Sequence, residues 1–315
     1  MNEVMQVVEA AFREKGLGFA QMPPKIFLSY PKYNGDLRAM PSYLERFDVS
    51  AVKVVNSHPD NKAKFGLPTV MATIILVDPR NGAPLAIMDG TRITAMRTGA
   101  AGGLAAKYLA RRDSKVVGFV GAGTQARTQL PALLALYGKL DLVKVWSPPR
   151  ESRETFVSEM KAAYKSLDEI VAVENVEDAV QGVDILVTTT PSRTPVVLDR
   201  WVSEGTHINC IGADASGKEE LDPAILKRAK IVVDDWEQAS HSGEINVPLA
   251  RGVISRKDVW GDICEIAAGL KLGRTSENEI TVFTSTGLAI QDAATAKLAY
   301  DKAVSKKIGH SIEIF

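Results

Sequence analysis

The sequence predicts an α/β protein built on a doubly wound parallel sheet, with a second α+β domain beside it. Three observations predict it. From Lys115 onward, short apolar runs alternate regularly with helical stretches. Before Thr91, β-like runs follow one another with Pro and Gly between them and little helix. A glycine-rich loop, Gly121 to Ala126, falls directly after the first of the alternating strands. At 315 residues, 45% hydrophobic and 24% charged, the chain is long enough to divide its core between two domains.

Taken in order, Met1 to Gly16 reads as an amphipathic helix, with Val4, Val7, Val8, Ala11 and Phe12 on one face. Charges at Glu3, Glu9, Arg13 and Glu14 interrupt it, which excludes a signal peptide. Strands are expected at Lys25 to Tyr30, Asp36 to Met40, Ser50 to Ser57 and Val70 to Val77, then an Ala- and Gly-rich helix from Thr91 to Ala110. The alternating region places strands at Val116 to Val120, Leu142 to Trp146, Ile170 to Val173, Asp184 to Thr188, His207 to Gly212 and Ile231 to Asp234. Asp222 followed by Pro223 is a strong helix start, because the carboxylate caps and proline is suited to the first helical position. Ile280 to Phe283 adds a strand, and a helix from Gly287 to Lys306 is expected to return to the first domain. The expected division is residues 1–112 with 288–315 in one domain and 113–287 in the other.

Composition excludes several functions. Lys plus Arg equals Asp plus Glu at 38 each, so no net charge draws the chain to nucleic acid. No apolar run approaches the roughly 20 residues of a membrane span. Cys210 and Cys264 stand alone, outside disulfide or metal-ligand spacing, so no metal is expected and a reducing cytoplasm fits. His58, His207, His241 and His310 are isolated; only His58 lies near a site motif.

Gly121-Ala-Gly123-Thr124-Gln125-Ala126 matches G-x-G-x-x-A between a strand and a helix, the Rossmann context that binds a dinucleotide. Gly121 serves the tight turn, Gly123 lets the backbone approach a pyrophosphate, and Ala126 keeps the helix close to the sheet. At the end of the second strand, where a carboxylate usually accepts from the NAD ribose, stands Ser147, followed by Arg150 and Arg153 with Arg127 nearby. A 2′-phosphate would meet cations there, so NAD or NADP is expected; Arg150 and Arg153 read equally well as solvated helix-start residues.

Gly118 to Ala126, Thr94 to Ala101 (TAMRTGAA), Lys53 to Pro59 (KVVNSHP) and Ile211 to Leu221 (IGADASGKEEL) resemble the ornithine cyclodeaminase and mu-crystallin family over nearly the whole chain. Within it, MPPK at Met22 to Lys25, DLRAMP at Asp36 to Pro41, VTTTPS at Val187 to Ser192 and STGLAIQD at Ser285 to Asp292 are most similar to archaeal alanine dehydrogenases. The resemblance implies a homodimer joined through the N-terminal domain, with the active site in the cleft between domains. It implies that Lys53 donates and accepts protons, Asp214 handles the reacting amine, and Arg97 is shared by cofactor phosphate and substrate carboxylate. Lys25 then matches a substrate-carboxylate ligand, and Thr98, Thr124, Gln125, Thr188, Ile211 and Lys218 match positions that contact the cofactor.

The residues offer independent support. Asp214 lies just past the carboxyl end of a strand, the edge where open parallel sheets bind ligands, although a turn aspartate reads the same way. Lys53 alternates with Ala51 and Val55, so burial can lower its pKa toward neutrality, which catalysis requires; a surface edge-strand lysine is the plain alternative. Arg38 stands where cyclodeaminases of the family carry an acid, which disfavours a diamine and suits a carboxylate clamp with Lys25 and Arg97; a salt bridge to Asp36 or Glu45 is its other reading. The expected reaction is NAD(P)-dependent oxidation of L-alanine, or a similar small amino acid, to the 2-keto acid and ammonium. A cyclic ketimine (pyrroline or piperideine-2-carboxylate) reductase, an ornithine cyclodeaminase and a non-enzymatic binder are the alternatives.

Overall fold

The computed structural model describes residues 1–313, in two compact units: Met1–Met5 with Thr98–Gly287, and Gln6–Arg97 with Leu288 onward. The helix Thr91–Leu109 passes from one unit to the other.

The smaller unit holds a six-stranded antiparallel sheet of β1 (Ala20–Gln21), β2 (Ile26–Tyr30), β3 (Gly35–Leu44), β4 (Val49–Ser57), β5 (Val70–Val77) and β6 (Pro84–Asp89). Strict alternation sorts its faces. Met40, Ser42 and Leu44 on β3, with Val49, Ala51, Lys53 and Val55 on β4, are buried, while their sequence neighbours stay half-exposed. The C-terminal helix Ala289–Ser305 lies on β3, β4 and β5, and its buried Ala289, Ala293, Ala294 and Ala296 let it approach closely. The N-terminal helix Asn2–Gly16 buries Met5, Val8, Ala11 and Phe12 and leaves Val4 and Val7 half-buried, a stripe turned by one residue from the expected one. Strands β1 and β6 had no counterpart in the sequence reading. The first has two residues, and the second, PLAIMD, is partly exposed on both faces and lacks a polar–apolar alternation in its sequence.

The larger unit is an eight-stranded parallel sheet of β7 (Val116–Val120), β8 (Leu140–Trp146), β9 (Leu167–Ala172), β10 (Ile185–Thr188), β11 (His207–Cys210), β12 (Ala229–Val233), β13 (Val259–Asp262) and β14 (Ile280–Thr284). Their order is β13-β12-β14-β11-β10-β7-β8-β9, with every pairing parallel. From β7 the chain first winds outward through β8 and β9, then crosses back to β10 and builds the other half. The reversal between β7 and β10 is the topological switch point at which open parallel sheets bind ligands. Strands β10, β11 and β14 are buried throughout, as parallel strands covered on both faces are. The four-residue β13, with Gly261 inside it, escaped the sequence reading.

His207 is a structural group. Its ring is wholly buried, with Nδ1 2.9 Å from Thr281 Oγ1 and Nε2 3.0 Å from Asn209 Oδ1, while Asn209 Nδ2 donates to Gly102 O. Burial, aided by Arg274, pushes its pKa down to about 3, so the ring stays neutral. No helix among the described residues is long and apolar enough to cross a membrane.

The glycines of RTGAAGG have a packing reason. A methyl group on Gly99 would collide with the carbonyl of Thr128, and one on Gly102 with the Gln129 side chain, both on the helix Ala126–Tyr137. Gln129 Nε2 also donates to Thr98 O at 2.9 Å. Gly99→Ala is therefore expected to lower stability despite the helix propensity it adds: overpacking costs about 1–3 kcal/mol against about 1 kcal/mol regained. Thermal melting checks this, and an unchanged or higher midpoint would show that the helices can part without cost.

Candidate active site

The smaller unit gathers its charges on the buried face of the sheet. Lys53 is 1% exposed, and its Nζ lies 2.6 Å from Asp292 Oδ2. The other Asp292 oxygen accepts from Arg97 Nε at 2.9 Å, and Arg97 Nη1 donates to Gln291 Oε1 at 3.0 Å. Gln291 Oε1 also accepts from Leu288 N at 3.1 Å, which fixes the start of the C-terminal helix. Local chemistry explains the placement of the acid, since the first turn of a helix favours a carboxylate. The packing of that helix on β4 then brings Asp292 to Lys53.

Lys53 Nζ and Asp292 Oδ2 form a buried ion pair. The Lys53 pKa is lowered to about 7: burial is the largest cause, Arg97 adds to it, Asp292 opposes, and Lys25 adds a smaller push downward. A lysine in this state exchanges a proton near neutral pH, as a general acid–base group must.

Arg38 lies on the same face, beside the Met40–Lys53 pair in register. Its guanidinium is held bidentately by Asp36, at 3.1 Å and 2.9 Å, and stacks on Phe27. The arginine's charge is thus largely offset where it stands. Lys25 is half-buried, just before β2.

In the larger unit, the loop after β7 fits a dinucleotide pyrophosphate. Gly121 takes φ +108°, a conformation suited to glycine, with the Thr189 hydroxyl 2.6 Å from where a side chain would begin. Gly123 and Thr124 are exposed, and a side chain on Gly123 would enter open space. The helix Ala126–Tyr137 that follows has no side-chain cap at its start. Together these leave oriented donors and the positive end of a helix for an anionic group.

Ser147 is buried at the end of β8. Each of the arginines around it has an acidic partner: Arg150 pairs with Glu154 at 2.7 Å, Arg127 with Glu159 at 2.7 Å, and the buried Arg153 with Glu174. Arg150 is the most exposed of the three. Asp214, beyond β11, pairs with Lys218 Nζ at 2.5 Å. Thr98, Thr188 and Ile211 are buried in this unit, and the Thr188 hydroxyl donates to Glu220.

The structure thus brings Lys53 and Arg97 together through two residues to which the sequence reading gave no role, Gln291 and Asp292. It also reveals that Glu220 and Glu244, to which the sequence reading gave no role, are wholly buried.

A sequence model described as the Ornithine cyclodeaminase/mu-crystallin family matches residues 1–307. The alanine dehydrogenase of Archaeoglobus fulgidus is 55% identical over 315 residues, covering 100% of this chain and 94% of that protein. Among solved structures, an archaeal alanine dehydrogenase dimer with bound NAD superimposes with a TM-score of 0.94 at 54% identity, covering 100% and 95% of the two chains. The Thermococcus litoralis Delta(1)-pyrroline-2-carboxylate reductase, in complex with NADH and L-proline, gives 0.95 at 45% identity, covering 99% and 96%.

Asp292 holds a charge that favours the Lys53 ammonium, so Asp292→Asn is expected to lower the lysine's pKa below its value of about 7. With Lys53 as the proton acceptor, kcat/KM for amino-acid oxidation is expected to fall as pH drops through about 7 in the parent and at lower pH in the variant. A pH–rate series for both proteins measures this. A limb that stays in place would remove the carboxylate from control of Lys53.

Proposed function

The chain belongs to the ornithine cyclodeaminase/mu-crystallin family, and from that premise we propose that it is an NAD-dependent amino-acid dehydrogenase. Its reaction is L-alanine, NAD+ and water to pyruvate, ammonium, NADH and a proton. The observation that carries the reading is the buried lysine with a pKa of about 7, set between Arg97 and Asp292 in a cluster of cations suited to a small carboxylate.

Bound NAD supplies the hydride acceptor; everything else falls to the chain. The guanidinium of Arg97, with Lys25, binds the substrate carboxylate, a task for which the planar fork of arginine is well matched. Arg97 cannot act as the base, because its proton stays on. Lys53 takes up the proton released as water adds and ammonia leaves, and returns one in the reverse direction. Asp214, paired with Lys218 Nζ at 2.5 Å, is assigned to the amine. Orienting two bound reactants supplies about 7–11 kcal/mol of the barrier reduction in well-aligned systems, which is the main return on so rigid a cluster.

Reduction of a cyclic ketimine carboxylate is the second reading. It is favoured by the 45% identity to a pyrroline-2-carboxylate reductase and by its use of the same carboxylate and proton chemistry. Coupled absorbance assays with NADH and NADPH separate the readings. Oxidation of NADH with pyruvate and ammonia supports the dehydrogenase, whereas oxidation with the ketimine alone replaces it by the reductase. Lys53→Ala is expected to reduce turnover by at least ~10²-fold, the usual contribution of a general acid–base group, and to leave NADH affinity intact. Unchanged turnover would take Lys53 out of the mechanism.

Two copies are proposed to associate through the outer face of the antiparallel sheet. Ile26 on β2, Leu28 on β2 and Ile87 on β6 are 62%, 52% and 63% exposed and align in register with Ala39, Leu37 and Ile75. An apolar sheet face so open to water calls for a cover. Leu28→Lys combined with Ile87→Lys is expected to convert a dimer into monomers in sedimentation, because burying unpaired ammonium groups is strongly unfavourable. An unaltered mass would move the interface elsewhere.

A further inference from the structure

Two carboxylates that touch none of the proposed reacting groups lie wholly buried at the carboxyl end of the parallel sheet. Glu220 Oε1 accepts from Thr190 N at 2.6 Å and Thr190 Oγ1 at 2.7 Å; Oε2 accepts from Thr188 Oγ1 at 2.8 Å and Gly212 N at 3.0 Å. Every acceptor position of a carboxylate is therefore filled by a donor. The donors come from two different loops, one leaving β10 and the other leaving β11. Glu244 secures Glu220 in turn, accepting from Glu220 N at 2.9 Å and from Leu221 N at 2.7 Å.

The chemistry of the pair is asymmetric. Burial raises both acids, Glu220 to about 7 and Glu244 well above the carboxylate range, where the Glu220 charge is the second cause. The four donors act against burial at Glu220 and favour its charged form. An amide at that position would point its own hydrogens at donors, and hydrogen bonds to a charged group are about twice as strong as neutral ones.

We propose that Glu220 is a positioning residue for the dinucleotide: its carboxylate clamps the Thr188–Thr190 and Ile211–Gly212 loops together, setting the edge of the site beside the switch point without touching the ligand. The proposal rests on the reading of this unit as the NAD-binding one. It gives a role to a wholly buried acid whose four donors come from the ends of two adjacent strands. It also accounts for Thr188 and Thr190 at the end of β10, whose hydroxyls donate to the carboxylate, whereas Thr189 between them donates to Gly121 O.

The test is fluorescence titration of NADH into the full-length protein, with pyruvate KM and thermal midpoint measured alongside. Glu220→Gln is expected to weaken NADH binding about tenfold or more, the size of one lost hydrogen bond to a charged group, with pyruvate KM unchanged. Thr190→Val, which removes one donor while keeping shape, is expected to weaken NADH several-fold, and Thr190→Ser, which keeps the hydroxyl, to restore parent affinity. If Glu220→Gln does not fold, the Val and Ser pair decides. A lowered midpoint with unchanged NADH affinity in the variants would overturn the proposal and leave Glu220 a structural residue only. Failure of the parent protein itself to bind NADH would overturn the dinucleotide reading, and the proposal with it.

Discussion

An ammonium group enclosed in a protein core is tolerated only when neighbouring charges and the loss of a proton share the penalty of leaving water. Lys53 meets that condition. Its sheet and the helix laid across it exclude water, Asp292 provides an opposite charge at 2.6 Å, and Arg97 on the far side of the same carboxylate keeps that charge from fully stabilising the lysine. The result is a group near its titration point at neutral pH. The smaller unit is arranged around this constraint: the alternation of β4, the alanine-lined face of the C-terminal helix and the Gln291 contact that fixes that helix's start all hold the three charges in place.

The larger unit meets a different constraint, that of presenting backbone donors to an anion without filling the space the anion needs. Parallel order with a reversal between β7 and β10 leaves two loops diverging at one edge. Glycine at 121 and 123 keeps the first of them bare. The second is drawn toward the next strand's loop by the Glu220 carboxylate. In both units a buried acid organises cations or donors, Asp292 from a helix start and Glu220 from a loop.

Much of this was legible in the sequence where the signal is local. The alternation of Ala51, Lys53 and Val55, the strand, loop and helix around Gly121, and the cap at Asp222, which accepts from Ala224 N at 3.0 Å, all depend on residues within one turn or one strand. Elements without such a signal were missed: β6, partly exposed on both faces, and β13, four residues with a glycine inside. Arg38 was legible as a cation facing the site, and of its two offered partners the structure selects Asp36, two residues away on the same strand.

By itself, then, the sequence determined the strand and helix pattern, the phosphate loop and the buried face that carries Lys53, because each follows from periodicity or from the stereochemistry of a few adjacent residues. Only the tertiary structure decided which acid meets which base. Asp292 reaches Arg97 across 195 positions of chain, and Glu220 reaches Thr188 across 32. Periodicity carries no information about such partners. A carboxylate in the first turn of a helix satisfies the helix whether or not it also holds a buried lysine, and the packing of that helix on β4 makes the difference.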